Sequence, residues 1–275
     1  MGKKNFYAVI DTETCTLPEL KAHYGDQAGL IFPLVYDLGL VIMDRQGEVY
    51  HRQSWIISET YSNPSLFNTG YYADKRPLYE ARIRRGETKV ETWNNAKFQL
   101  LQVMERFDAI ACAYNAFFDF KKAFHATNRF NGAIYKPDGK QATEALVKSL
   151  TTKKPKQAKP KQKKNEEIQF WLVDRWFRVI DIWDFACETL FQRQTYKEMA
   201  LNNGWYSEAG NYKTNAEVAY AYITDEPNYS EEHMAVDDCD IEAQILAYIF
   251  SKYKVKVPYG ITAFPWRKVG KVEKG

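Results

Sequence analysis

Two acidic residues stand two positions apart near the start of the chain, at Asp11 and Glu13, directly after the apolar run Phe6–Ile10. The run predicts a buried strand that stops at Asp11. Residues two apart in a strand point to the same face, so the two carboxylates would converge. Converging carboxylates repel each other unless a cation lies between them, and oxygen ligands without a nearby histidine or cysteine favour Mg²⁺ or Mn²⁺ over zinc. The pair therefore predicts a metal site, although acids at a strand end also serve as caps or salt-bridge partners.

A second polar pair lies in the segment AYNAFFDF, where Asp119 follows Asn115 by four residues. The apolar run Ala109–Tyr114 predicts a strand, and Phe117–Asn128 predicts the helix after it. Asn115 would then stand at the end of the strand and Asp119 one helical turn later, on the same side of the sheet. An alternative assigns both residues structural roles, with Asn115 capping the helix and Asp119 offsetting the helix dipole in the first turn.

A third polar group lies near the end of the chain, in the segment HMAVDD, where Asp238 follows His233 by five residues. Asp238 begins a helix that apolar periodicity predicts over Asp238–Tyr253, and His233 lies on the loop before it. A carboxylate at this position would join the metal site, and the histidine would reach a water molecule that attacks the substrate. Asp237 and Asp240 are alternative ligands here, and a histidine before a helix is often only a surface residue.

The elements that would position these residues are strands first, then helices alternating with strands. Leu34–Asp44 and Glu48–Ile57 are rich in β-branched and aromatic residues, and the short turn Arg45–Gly47 between them predicts a hairpin. The later predicted elements are helix Ala96–Phe107, strand Arg178–Ile182 and the helical segments Phe185–Phe191 and Tyr196–Asn203. This order predicts an α/β domain with a mixed sheet.

The composition is that of a soluble globular protein, with 275 residues of which 45% are hydrophobic and 27% charged. The four cysteines are far apart and form no C-x-x-C pair. This spacing argues against a zinc site and a disulfide framework and favours a reducing compartment. No apolar stretch is long enough for a signal peptide or a membrane span. We therefore expect a cytoplasmic protein without a membrane partner, encoded by a cell or by a phage acting within a bacterial host.

Three stretches stand apart from the predicted core elements. Residues 58–92 are polar and turn-rich, with tyrosines among arginines, which suits either a platform for single-stranded nucleic acid or a solvated loop. Residues 139–168 carry seven lysines between Lys153 and Lys164, which predicts a mobile loop, either a solubilising linker or a tether for phosphates. Residues 256–275 form a basic tail that either docks a partner or frays. We expect residues 1–255 to be a single domain in which the first two stretches are inserts.

Together the three motifs resemble the signature of the DEDDh, or DnaQ-like, 3′→5′ exonucleases, which include proofreading exonuclease subunits and ribonuclease T. The family pattern runs D-x-E, N-x-x-x-D and H-x-A-x-x-D in chain order, and it is matched at Asp11/Glu13, Asn115/Asp119 and His233/Ala235/Asp238. Met234 stands where the tyrosine branch of the superfamily has its tyrosine, so the histidine branch fits. The resemblance covers most of residues 5–253. It implies a ribonuclease-H-like fold, with a mixed sheet of three antiparallel strands followed by parallel strands and helices on both faces.

The resemblance also implies a mechanism. Asp11, Glu13 and Asp238 would bind two Mg²⁺ or Mn²⁺ ions, with Asp11 bridging them and Asp119 acting through a bound water or as an outer ligand. His233 would be the general base. The residues that bind substrate would be Thr12, Thr14, Asn115 and Phe118. The substrate would be nucleic acid with a free 3′ end, single-stranded DNA being favoured, and the products would be nucleoside 5′-monophosphates.

Two other functions fit the same residues. One is a 3′→5′ exoribonuclease of the same family, since the sequence carries no readable discriminator for the 2′-hydroxyl group. The other is a catalytically silent module that keeps the fold and binds nucleic acid or acts as a scaffold, against which the presence of all five acid and base residues argues. The chain contains no recognisable polymerase domain, so we expect it to act alone or beside a polymerase or another replication or repair protein.

Overall fold

A seven-stranded sheet runs through the part of the chain that the structure describes. The computed structural model describes residues 4–18, 22, 33–132, 169–172 and 175–272. The strands are β1 (Phe6–Cys15), β2 (Leu34–Asp44), β3 (Val49–Ile57), β4 (Lys89–Glu91), β5 (Ile110–Ala113), β6 (Gln169–Leu172) and β7 (Arg175–Asp181). They lie in the order β4-β3-β2-β1-β5-β7-β6.

The sheet is mixed, as the sequence predicted. β1 is antiparallel to β2, and β2 is antiparallel to β3. On the other side of β1, β5 and then β7 continue the sheet in parallel. The prediction of three antiparallel strands followed by parallel strands is therefore confirmed. The short edge strands were not predicted, and they add a parallel pair between β4 and β3 and an antiparallel pair between β6 and β7.

The first strand is longer than its apolar run indicates. The sequence placed its end at Ile10, but β1 continues to Cys15 because the polar residues after Ile10 keep their pairing with β2. The register shifts only between Glu13 and Thr14. Asp11 and Glu13 therefore lie within a paired strand, which fixes the direction of both side chains.

Helices cover both faces of the sheet. They are α1 (Ser58–Tyr61), α2 (Pro64–Phe67), α3 (Arg76–Arg85), α4 (Trp93–Phe107), α5 (Ala116–Phe118), α6 (Phe124–Gly132), α7 (Ile182–Glu188), α8 (Gln194–Asn202), α9 (Ala216–Thr224) and α10 (Ala235–Lys252), with a π-helical turn at Asp119–Ala123 and 3₁₀ turns at Ala73–Lys75, Leu190–Gln192 and Pro265–Lys268. Successive residues of β1 point to opposite faces of the sheet and belong to two hydrophobic cores. Tyr7 and Val9 pack with α7 to α10 on one face, whereas Ala8 and Ile10 pack with α4 and α6 on the other. No helix in the described part of the chain is both long enough and apolar enough to cross a membrane.

Residues 58–92 fold into helices α1 to α3, a 3₁₀ turn and β4. Three of their aromatic residues, Tyr61, Phe67 and Tyr79, form edge-to-face contacts with one another, and the last two also contact Tyr36 of β2. Tyr79 is therefore a core residue that cannot stack on a nucleotide, whereas Tyr71 is 87% exposed. The lysine-rich stretch 139–168 lies outside the described residues.

The C-terminal stretch lies against the domain up to residue 272. Tyr259 forms a β-bridge with Ile180 of β7. The Lys268 ammonium group lies 2.6 Å from carboxylate oxygens of both Asp184 and Glu188 on α7. The described part of the tail thus packs against the domain. The sequence had suggested either docking to a partner or fraying, and neither describes this packing.

Candidate metal centre and its cavity

The structure brings the acid and base residues of the three motifs to one cavity of about 670 Å³. Asp11 and Glu13 come from β1, Asp119 from the π-helical turn, His233 from the loop before α10, and Asp238 from the first turn of α10. Side chains that are remote in the sequence therefore share one solvent-accessible space beside the central strand.

Thr12 ties β1 to the π-helical turn. Its hydroxyl group donates a hydrogen bond of 2.6 Å to Oδ1 of Asp119. Asp119 is only 3% exposed, and burial raises the pKa of its carboxyl group to about 7, although the bond from Thr12 opposes the rise. The link fixes one carboxylate of the second motif against the strand that carries the first.

Asn115 is a helix cap and also a lining residue of the cavity. Its side-chain oxygen accepts a hydrogen bond of 3.3 Å from the backbone N–H of Phe118, so it is the N-cap of α5. It also lines the cavity, as does Phe118. The helical path then widens into the π-helical turn that begins at Asp119, a local irregularity that is frequent at functional sites.

Asp37 and Gly39 of β2 hold the start of α10 against the sheet. The Asp37 carboxylate is fully buried and accepts a hydrogen bond of 3.0 Å from the backbone N–H of Ala235; burial raises the pKa of this carboxyl group to about 6. A Cβ atom on Gly39 would lie 2.3 Å from the Ala235 carbonyl oxygen, so only glycine permits this approach. Neither residue was predicted from the sequence to be functional. Together they hold Ala235 in place and so position Asp238, which follows Ala235 by three residues.

Glu13, His233 and Asp238 form a group that could hold a metal ion. Each offers a ligand atom, and these atoms all lie within 4.8 Å of one another. Oδ1 of Asp238 is buried and has no hydrogen-bond partner among the described residues. A buried carboxylate oxygen without a donor carries a free-energy cost that a cation would remove. The residues of the site therefore fit a divalent ion.

Mutual repulsion characterises the carboxylates around this group. Burial raises the pKa of Asp11 and of Glu13 well above the ordinary range, and neighbouring carboxylates raise both further. The pKa of Asp238 is raised to about 8 by burial and then by Glu231. Such shifts mean that ionising these carboxyl groups costs free energy in the folded protein. Bound cations would offset that cost.

Glu242 is a further acid of the cavity that the motifs do not include. It lies one helical turn after Asp238, is 4% exposed, and accepts a hydrogen bond of 3.1 Å from the backbone N–H of Tyr114. Burial raises its pKa well above the usual range, with Asp119 and Asp238 adding to the effect. Its spacing of four residues from Asp238 places it on the same face of α10, and this periodicity could have identified it.

Residues of the stretch 58–92 clamp the loop that carries His233. The ring of Tyr72 stacks on the His233 imidazole, with centroids 4.1 Å apart and planes 12° from parallel. The Lys75 ammonium group donates a hydrogen bond to the backbone carbonyl of Glu232. Arg82 lies 3.3 Å from the Glu232 carboxylate and 2.6 Å from that of Asp237. No local pattern in the sequence predicts these contacts, because they join segments about 150 residues apart.

The two carboxylates proposed as alternatives to Asp238 bind an arginine outside the cavity. Asp237 and Asp240 lie 2.6 Å and 2.8 Å from Arg52 of β3, and neither lines the cavity. Among the residues assigned to substrate binding, Thr12, Asn115 and Phe118 line the cavity, whereas Thr14 does not.

Comparison of the chain with family models, with curated proteins and with solved structures finds no match.

Proposed function

We propose that this protein is a divalent-metal-dependent 3′→5′ exonuclease of the DEDDh type. The observation that carries the proposal is the meeting of Asp11, Glu13, Asp119, His233 and Asp238 in one cavity, from three separate parts of the chain. Carboxylates with one histidine are the ligands and the base that metal-assisted phosphodiester hydrolysis requires.

The strand order gives independent support. The five central strands lie in the order β3-β2-β1-β5-β7, with β2 antiparallel to both of its neighbours and β5 and β7 parallel to β1. This arrangement is consistent with the ribonuclease-H-like fold that the resemblance implies. β1, the central strand of the five, carries the first acidic motif.

In the proposed site, Asp11, Glu13 and Asp238 would hold two Mg²⁺ or Mn²⁺ ions. Asp119, whose carboxylate is fixed by the hydrogen bond from Thr12, would act through a bound water or as an outer ligand. When bound, divalent ions lower the pKa of water and stabilise negative charge on a leaving oxygen. The protein's part is to position these acids, because burial restricts them, and the bond from Thr12 restricts Asp119, before any ion binds.

His233 accepts the proton of the attacking water in this proposal. Burial and the nearby Lys75 lower the pKa of its imidazole below the ordinary value, so the ring is neutral at pH 7 and has a nitrogen free to accept a proton. The Tyr72 ring stacked on it restricts its orientation. A neutral imidazole of fixed orientation is suited to general-base catalysis.

The substrate in this proposal is nucleic acid with a free 3′ end, and single-stranded DNA is favoured. Asn115 and Phe118 line the cavity beside the acids, where an amide and an aromatic face can contact the terminal nucleotide. The products are nucleoside 5′-monophosphates.

The test uses 5′-labelled single- and double-stranded DNA and RNA with Mg²⁺ or Mn²⁺. Wild-type protein should shorten the strands stepwise from the 3′ end. Asp11→Ala and Asp238→Ala should abolish the reaction. Although His233 lies within reach of an ion, the proposal assigns it to proton transfer and the ions to the carboxylates, so His233→Ala should slow the reaction strongly and leave metal affinity nearly unchanged. Asp240→Ala is the matched control, since Asp240 lies on the same helix but pairs with Arg52 outside the cavity.

Several outcomes would contradict the proposal. Full activity in the Asp238→Ala variant would exclude this cavity as the catalytic site. Cleavage of a 3′-blocked strand would identify an endonuclease. Tight binding of nucleic acid without any hydrolysis would favour the silent module, and faster shortening of RNA than of DNA would assign an exoribonuclease.

A further inference from the structure

The cavity extends beyond the acids to a second wall on which no motif of the site lies. The residues of this wall come from the start of α7, from the segment before α9 and from the tail, and they include Trp183, Asn211, Tyr212, Lys213, Asn215 and Trp266. Aromatic rings, amides and one ammonium group thus face the same space as the carboxylates. Such a combination is typical of surfaces that bind single-stranded nucleic acid.

The segment before α9 is a small hairpin with a fixed position. Tyr206 and Tyr212 form an antiparallel bridge across it. Thr214 at its end accepts two hydrogen bonds of 2.9 Å, one from the Tyr114 hydroxyl group to its carbonyl oxygen and one from the Trp183 indole N–H to its hydroxyl group. The hairpin is therefore anchored to Tyr114, the residue after β5, and to the start of α7.

The tail is in turn anchored to this hairpin. Lys271 forms an antiparallel bridge with Asn211, and the backbone N–H of Val272 donates a hydrogen bond of 2.8 Å to the Gly210 carbonyl. These bonds, together with the ion pairs of Lys268, hold the 3₁₀ turn Pro265–Lys268 at the mouth of the cavity. A part of the chain outside the three motifs thus completes the cavity wall.

The exposed side of this turn carries aromatic rings and a guanidinium group. Trp266 is partly exposed and lines the cavity, while Phe264 beside it is 54% exposed. The Arg267 guanidinium carbon lies 4.7 Å from the centre of the Phe264 ring and 5.5 Å from that of Trp266. Every base has a π face for such rings, and the cation complements a phosphate.

We propose that the second wall is a base-binding subsite for a single nucleic-acid strand, in which Trp266 stacks on the nucleotide that precedes the scissile phosphate. The inference rests on the proposed function, because Asn115 and Phe118 there take the terminal nucleotide and the next one continues toward the tail. Lys213 lines this wall and Arg267 lies beside Trp266, and in the proposal both cations neutralise the backbone. Since recognition is by stacking, the subsite selects single strands without selecting sequence.

The first experiment measures binding alone, by fluorescence anisotropy of a labelled single-stranded oligonucleotide with Ca²⁺ in place of Mg²⁺. Trp266→Ala should raise the Kd by roughly 5- to 150-fold, the effect of losing one base–aromatic stack. Trp266→Phe keeps a ring and should restore most of the affinity. Trp176→Ala is the matched control, because Trp176 is 55% exposed and lies outside the cavity; its Kd should equal that of wild type.

A second experiment separates the subsite from the chemistry. The 5′-methyl ester of thymidine monophosphate contains one nucleotide, and methanol takes the place of the preceding nucleoside as leaving group, so the ester offers no ring to Trp266. Trp266→Ala should hydrolyse this ester at the wild-type rate while its KM for an oligonucleotide rises. If wild-type protein hydrolyses neither substrate, the proposed function fails, and the anisotropy measurement still decides whether the subsite exists.

Two results would overturn the inference. One is an unchanged Kd for the oligonucleotide in Trp266→Ala. The other is an equal loss of activity toward the ester and the oligonucleotide, whether or not the unfolding temperature falls, since a general structural role or a contact with the terminal nucleotide would affect both substrates.

Discussion

The substitution Gly39→Ala tests whether the approach of α10 to β2 sets the geometry of the site. Gly39 pairs with Asp11 in the sheet and faces the first residues of α10. An added Cβ would lie 2.3 Å from the carbonyl oxygen of Ala235 and 2.6 Å from the amide nitrogen of Val236. Both atoms are backbone, so no side-chain rotation relieves the clash, and the start of α10 must recede.

The size of the effect follows from that displacement. Ordinary contacts of a Cβ atom begin at 3.4 Å, so the helix start must move by about 1 Å. Asp238 moves with it, whereas Glu13 stays in the sheet. A misplacement of about 1 Å costs on the order of 100-fold in rate. Overpacking a core of this kind also costs about 1–3 kcal/mol of stability, and each kcal/mol lowers the unfolding temperature by roughly 2–4 °C in a protein of this size.

The assay combines three measurements on Gly39→Ala. Steady-state nuclease kinetics give the fall in kcat, calorimetric titration with Mn²⁺ gives the loss of metal affinity, and thermal unfolding gives the loss of stability. Gly260→Ala is the control, because a Cβ on Gly260 meets nothing within 4 Å and its φ is not positive. A Gly39→Ala protein with wild-type Mn²⁺ affinity and unfolding temperature would refute the reasoning, whatever its nuclease activity.

Three further predictions concern charge and the clamp on the His233 loop. Without metal, the pKa values of Asp119 (about 7) and Asp238 (about 8) exceed their ordinary value of 3.8, so the folded state binds protons more tightly than the unfolded state. The stability that protons contribute is fully present below about pH 4 and is lost as the pH rises through 7 and 8. The unfolding temperature should therefore fall from pH 5.5 to 8.5, and Mg²⁺ should raise it more at pH 8.5; equal effects of Mg²⁺ at both ends would contradict this. Glu242→Gln keeps an acceptor for the Tyr114 amide but removes a titrating carboxyl group. The unfolding temperature of the metal-free variant should therefore depend less steeply on pH than that of wild type. An unchanged pH dependence would argue against mutual repulsion between Glu242 and the other carboxylates. Arg82→Ala removes the ion pairs that hold the His233 loop and leaves every proposed metal ligand in place. The kcat should therefore fall by roughly 10- to 100-fold, while calorimetry gives an unchanged Mn²⁺ affinity. A loss of affinity equal to the loss in kcat would assign Arg82 to the metal centre instead.

The sequence predicted the parts of the site that depend on local geometry. Alternation in a strand predicted that Asp11 and Glu13 share a direction, and the start of an apolar helix placed Asp238. The same reasoning ended β1 too early, because apolar periodicity stops at Ile10 while hydrogen bonding to β2 continues through the polar residues. An apolar run therefore locates the buried part of a strand, whereas the end of its pairing depends on the partner strand.

The parts that the sequence did not predict are long-range contacts. Tyr72 reaches His233, and Trp266 reaches the cavity, only because helices and strands remote in the chain are neighbours in space. Tyr79 shows the converse limit, since a tyrosine among arginines looked like a surface residue and is fully buried. Residue type indicates what a side chain can do, whereas the surroundings that select one role come from tertiary packing.

The hydrogen bond between Asp37 and Ala235 has a consequence for the order in which the protein folds. It joins residues 198 positions apart, so closing this loop costs about 4–5 kcal/mol of chain entropy before the contact stabilises anything. Contacts of such long range form slowly, whereas the hairpin of β2 and β3 can form locally. The proposed binding of a divalent ion should thus be acquired only when α10 docks, so Mn²⁺ affinity would report that folding is complete.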